Sequence, residues 1–114
     1  MRLNHDLIRT LLLFIEEISD GQNNFLIESI PSEFPAEEPI AVTYHIKYLR
    51  DAGLIEAIRG YIIDITPQGR EYLDSIRDDS IWNNTKEKIK PFGNVALDII
   101  SSVAKSYLLS KLGI

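Results

Sequence analysis

Apolar residues recur at intervals of three and four from Leu7 through Ile8, Leu11, Leu12 and Ile15 to Ile18, which predicts an amphipathic helix from about Asn4 to Ser19. Asp6 suits the positive end of the helix dipole, Asp20-Gly21 ends the helix, and Arg9, Glu16 and Glu17 occupy its polar face. Phe25 to Ile30 is a β-rich run after four polar residues and reads as a strand that pairs with a later hairpin. Val42, Ile46 and Leu49, with His45 beside them, predict a helix over about Glu38 to Ala52. Thr43, Lys47 and Arg50 fall on its opposite side, flanked by Tyr44 and Tyr48. Gly53 stands where this pattern stops, free to take the left-handed conformation that ends a helix. Leu54, Glu56 and Ile58, then Tyr61, Ile63 and Ile65, are spaced by two. They suit two strands joined at Arg59-Gly60 and packed by one face. Thr66 caps and Pro67 opens a further helix to Arg77, with Tyr72, Leu73 and Ile76 inward.

Pro31, Pro35 and Pro39 leave little room for a helix between the first strand and Glu38, so a loop, or one turn at Pro35 to Glu38, is expected there. Ser80 is the expected cap of a short helix through Ile81, Trp82, Thr85 and Ile89. Trp82 reads as an anchor between that helix and the preceding body, with a ligand platform as the other use of an indole. Lys86, Lys88 and Lys90 read as a solvated charged face. Asn94 is the expected cap of a last helix, Val95 to Leu112, whose broad apolar stripe includes Ile99, Ile100, Val103, Tyr107 and Leu108. Those five residues are candidates for a homodimer interface, or for packing within the chain.

The order helix, strand, helix, hairpin, helix implies an α+β, mainly helical fold. It is a winged helix-turn-helix over residues 1–79, with a reduced or missing second helix, followed by a C-terminal helical extension over residues 80–114. On that frame the candidate DNA contacts are Thr43, Tyr44, Lys47 and Arg50 on the recognition segment and Arg59 at the wing tip, although the same face also suits plain solvent exposure. Charge works against phosphate binding. The chain carries 12 Lys and Arg against 17 Asp and Glu, a formal net charge of −5. Residues 1–80 hold 7 basic and 15 acidic side chains, net −8, and residues 81–114 hold 5 and 2, net +3.

Other chemistry has few residues to use. There is no cysteine, which removes disulfides and thiolate metal sites and fits a cytoplasmic setting. His5 and His45 lie in different elements, no metal-ligand spacing or phosphate loop is present, and the carboxylate pairs Glu16-Glu17, Glu37-Glu38 and Asp78-Asp79 read as helix surface or helix ends. We expect neither an enzyme nor a bound cofactor or metal. His45 reads as a packed, hydrogen-bonded group. No apolar run reaches the roughly 20 residues of a bilayer span, and Lys105 and Lys111 are too few for a membrane-surface helix.

The opening Leu3-Asn4-His5-Asp6-Leu7-Ile8-Arg9 carries a family resemblance, as do Tyr44 to Leu49 with Asp51 to Ala57, and Ile65 to Arg77 with Ile81-Trp82. These segments resemble the domain of unknown function 2513 family, small proteins frequent in bacterial prophages and mobile elements. The resemblance implies a winged-helix body with a C-terminal helical extension and a phage or bacterial origin, and it implies no activity. The matched positions Tyr44, His45, Gly53, Thr66, Gly69 and Trp82 read physically as core, turn or cap residues. The sequence thus leaves two expectations open. One is a dimeric regulator bound to double-stranded DNA; the other is a non-enzymatic module that holds a host or phage protein by its acidic face or its last helix.

Overall fold

The computed structural model describes residues 1–114. It is an α+β chain with five α-helices and one three-stranded antiparallel sheet. Two units divide it, Met1–Arg70 and Glu71–Ile114. The expected boundary after residue 79 falls later than this division, which lies within a helix.

In the first unit, α1 (His5–Ile18) is capped by the Asn4 side chain, which accepts from Leu7 N–H at 3.1 Å. Leu7, Ile8, Leu11, Leu12 and Ile15 are buried, as the three-and-four spacing requires. The strand β1 (Phe25–Leu26) is shorter than the expected Phe25 to Ile30. After Leu26 the backbone tightens into two single-turn 3₁₀ segments, Ile27–Ser29 and Pro31–Glu33, where Ser29 and Ser32 bond back to the carbonyls of Leu26 and Ser29. These turns come before the expected turn at Pro35 to Glu38, and no α-helix forms between β1 and Pro39. Phe34 holds the segment in place, its ring edge-to-face with Phe14 of α1 at 5.2 Å between centroids.

The second helix, α2 (Pro39–Asp51), opens on a proline whose missing N–H is no loss at that position. It ends in a Schellman motif at Gly53, φ 78°: Leu54 N–H reaches Leu49 C=O at 2.9 Å and Gly53 N–H reaches Arg50 C=O at 3.0 Å. Then β2 (Ile55–Ile58) and β3 (Tyr61–Ile65) form the hairpin, and β3 sits between β1 and β2.

The hairpin corrects one sequence expectation. Ile55, Ile62 and Ile65 are its buried residues, while Glu56, Ile58 and Tyr61 face solvent. Ile65 pairs with Ile55, Asp64 with Glu56 and Ile62 with Ala57, which leaves Ile63 without an opposite residue. This bulge shifts the alternation by one, so that Ile62 and Ile65, three apart, both point inward. A strict period of two cannot express that.

The next helix, α3 (Pro67–Ile76), starts as expected. Thr66 Oγ1 accepts from Gly69 N–H at 3.0 Å and donates to Gly53 C=O at 2.6 Å, tying its start to the end of α2. A Cβ on Gly69 would overlap the carbonyl oxygen of Leu54, so this close approach requires glycine.

In the second unit, α4 (Asp79–Ile89) is capped by Asp78 and not by Ser80. The Asp78 carboxylate accepts from Ile81 N–H at 2.9 Å, and Lys111 Nζ donates to its other oxygen at 3.2 Å. The Ile81 bond first and Lys111 second hold the Asp78 carboxyl below its ordinary pKa. The last helix, α5 (Leu97–Lys111), begins later than expected and has no side-chain cap. Asn94 lies outside it because Gly93 turns the chain at φ 72° and Ala96 remains extended. Ser101 Oγ donates to Ser75 Oγ at 3.1 Å in a buried contact, and Lys105 meets Glu71 at 3.2 Å.

Candidate functional site

The Arg59-Gly60 turn of the hairpin has positive φ at both residues, 53° and 83°, the conformation of a two-residue turn that matches strand twist. Arg59 adopts it without being glycine, asparagine or aspartate. A bond from Ile27 N–H to Gly60 C=O at 2.9 Å fastens the turn to the segment after β1. Between this turn and α2 lies an open hollow of about 380 Å³, lined by Leu26, Ile27, Glu28, Thr43, Arg59 and Gly60.

Of the expected DNA-contact residues, the fold brings Thr43 and Arg59 to that one hollow. Tyr44, Lys47 and Arg50 are on α2 but do not line it. Lys47 is exposed. Arg50 is engaged by its neighbour: its Nε donates to Asp51 Oδ1 at 3.0 Å and its terminal nitrogen lies 3.0 Å from the same oxygen. Tyr44 sits edge-to-face on the His45 ring at 5.6 Å. Ile40, Thr43, Tyr44 and Lys47 follow the spacing of one helix face and all are exposed.

Sequence reasoning missed Leu26 and Glu28 as parts of this surface, because Phe25 to Ile30 was read wholly as strand. The register supplies a further row. Leu26 lies opposite Tyr61 and Tyr61 opposite Ile58, so three large side chains stand side by side across the sheet, 41%, 42% and 52% exposed. Whole-unit charge is unfavourable to phosphate: residues 1–70 hold 6 basic and 11 acidic side chains, net −5, whereas residues 71–114 hold 6 of each.

The two histidines, in different elements of the sequence, are brought within electrostatic reach of each other. His45 is buried; its Nε2 accepts from Asn4 N–H at 2.8 Å and its Nδ1 donates to Ala41 C=O at 2.7 Å, so both ring nitrogens have backbone partners. Both ring nitrogens of His5 are shut off from solvent without a hydrogen-bond partner. Burial pushes the His5 pKa below its ordinary 6.5, Asp6 opposes this and His45 adds to it.

On the second unit, Ile100 is fully buried together with Ala104, which removes Ile100 from the expected dimer contacts. Its side chain is already used by the chain's own packing. Ile99 is exposed, and Val103, Tyr107 and Leu108 are half-buried. Trp82 is buried, which removes the platform reading, and the Lys86 ammonium stands 5.7 Å from its ring centroid. An apolar groove of about 500 Å³ runs between the end of α4 and the start of α5, with Lys88 on its rim.

Comparison with known proteins places this chain. The family described as "Hypothetical protein (DUF2513)" matches residues 2–95. The chain belongs to that family. A relative, an uncharacterized protein of Haemophilus influenzae (strain ATCC 51907 / DSM 11121 / KW20 / Rd), is 38% identical over 117 residues, covering 95% of this chain and 96% of the relative. No solved structure matches the chain. The family match stops before α5, while the Haemophilus alignment spans nearly all of both chains. No helix of this DUF2513 protein is long and apolar enough to cross a membrane.

Proposed function

We propose that this DUF2513 protein is a winged-helix protein that binds double-stranded DNA as a regulator of phage or mobile-element origin. In this reading α2 is the recognition helix, β2–β3 is the wing, and the 3₁₀ turns stand where a second helix would brace the backbone contact. The observation that carries it is the hollow shared by Thr43 and Arg59, since helix face and wing turn have to meet one ligand together. Lys47 and Arg59 supply the free cations, because Arg50 is tied to Asp51.

A unit of net −5 has little general attraction for phosphate, so affinity rests on few contacts and on specific base edges. The test is a titration of duplex DNA at several salt concentrations with Lys47→Ala and Arg59→Ala. Each substitution is expected to weaken binding and to lower the salt slope by about one. Unchanged affinity and slope in both variants would end this reading.

The exposed row Leu26, Tyr61, Ile58 favours a second reading, a protein-interaction module whose partner covers the sheet. Ile58→Ser and Tyr61→Ser, neither of which lines the hollow, separate the two. They abolish capture of a protein partner in the second reading and leave the salt slope on DNA intact in the first.

A further inference from the structure

We propose that the groove between α4 and α5 receives a second copy of this chain, each copy placing its Phe92 in the groove of the other about a two-fold axis. Phe92 and Ile99 both line the groove, 76% and 50% exposed. Neighbouring apolar groups this open to water are characteristic of a surface that is covered in use. The floor and walls, Ile89, Val95, Ala96, Ile99 and Val103, offer an apolar site for an aromatic ring, and its volume of about 500 Å³ is that of a ligand-sized cavity.

The local backbone holds the ring in readiness. Phe92 ends the 3₁₀ turn Lys90–Phe92, with Pro91 restricting φ inside it and Gly93 turning the chain at φ 72° directly after it. A projecting group presented from a fixed turn loses little freedom on docking.

Knob and hole lie on one patch, and that is the condition for an isologous contact, in which a single two-fold axis satisfies both at once. Charge agrees with a copy of the chain as the occupant. Lys88 lines the groove and Asp98, exposed, precedes Ile99 on α5. In a two-fold contact the patch meets itself, so a patch that carries both a cation and an anion can complement its own copy, whereas a ligand of one sign would match only one of them. Residues 71–114 carry 6 basic and 6 acidic side chains, so two such units do not repel.

Sedimentation velocity on the full chain over a concentration series tests this. The wild type is expected to dimerise, and Phe92→Ala to weaken the dimer at least about 100-fold, since one substitution removes two central anchors. The circular dichroism and melting temperature of the monomer are expected to stay unchanged, because Phe92 is already exposed. Lys88→Asp alone is expected to weaken the dimer and Lys88→Asp with Asp98→Lys to recover it. A wild-type chain still monomeric at ~100 μM, a dimer indifferent to Phe92→Ala, or failure of the double charge exchange to recover association would each overturn the proposal.

Discussion

The two surface hollows of this protein differ in the chemistry that lines them. The hollow at the hairpin turn mixes Thr43, Glu28 and Arg59 with Leu26 and Ile27, on a unit with an excess of acid. The groove between α4 and α5 is walled mainly by apolar side chains, with Lys88 and Asn94 as its polar members, on a unit whose charges balance. A mixed polar hollow beside a strand turn selects a partner by hydrogen bonds and charge. An apolar groove beside a projecting phenyl ring gains by excluding water. The two places thus suit the different tasks proposed for them: the first to read a ligand, and the second to join copies of the chain.

The comparison depends on the hairpin face being correctly placed, and the largest expected effect tests that. Ile62→Ala is expected to destabilise the protein by about 3 kcal/mol, since a fully buried isoleucine leaves a cavity, while Ile58→Ala on the exposed row is expected to change stability by less than about 0.5 kcal/mol. Urea unfolding measures both, and equal losses would mean that the bulge does not set the face. Next in size, Gly69→Ala forces a methyl group into the Leu54 carbonyl and is expected to cost about 2 kcal/mol. A neutral Gly69→Ala in the same assay would show that α3 approaches the hairpin less closely than described.

A smaller effect sharpens the contrast through pH. Burial lowers the His5 pKa, so the unfolded chain binds the proton more readily than the folded one. Stability is then full above the ordinary value of 6.5 and declines as pH falls through it. Urea midpoints at about pH 7.5 and 5.5 are expected to differ in that direction, with His5→Gln reducing the difference. No change between the two would contradict the buried, unpartnered state of the His5 ring.

Much of this was legible in the residues because it depends on local physics. The spacing of Leu7 to Ile15, the stop at Gly53, the Arg59-Gly60 turn and the Thr66-Pro67 start each depend on neighbours a few positions away. What could not be read depends on partners distant in sequence. The inward face of β3 is set by which residue of β2 lies opposite, and that register is not a local property. Asp78 rather than Ser80 caps α4, where Lys111, far along the chain, also binds the carboxylate. At the candidate site Thr43 and Arg59 were identified, but Glu28 and Leu26 join them only because a short strand and a bond to Gly60 bring their segment to the turn. Ile100 looked like its neighbours on the α5 stripe; only packing separates the residue that is consumed from those left outside.

The central claim is that the surface shared by α2 and the hairpin turn reads duplex DNA. Its most direct test is selection of genomic fragments by the purified protein, including the DNA around its own gene, at low and moderate salt beside a random duplex. The account predicts that particular fragments are retained at moderate salt while the random duplex is released, because a surface of net negative charge cannot hold DNA by phosphate attraction alone. Retention of no fragment at either salt would contradict it.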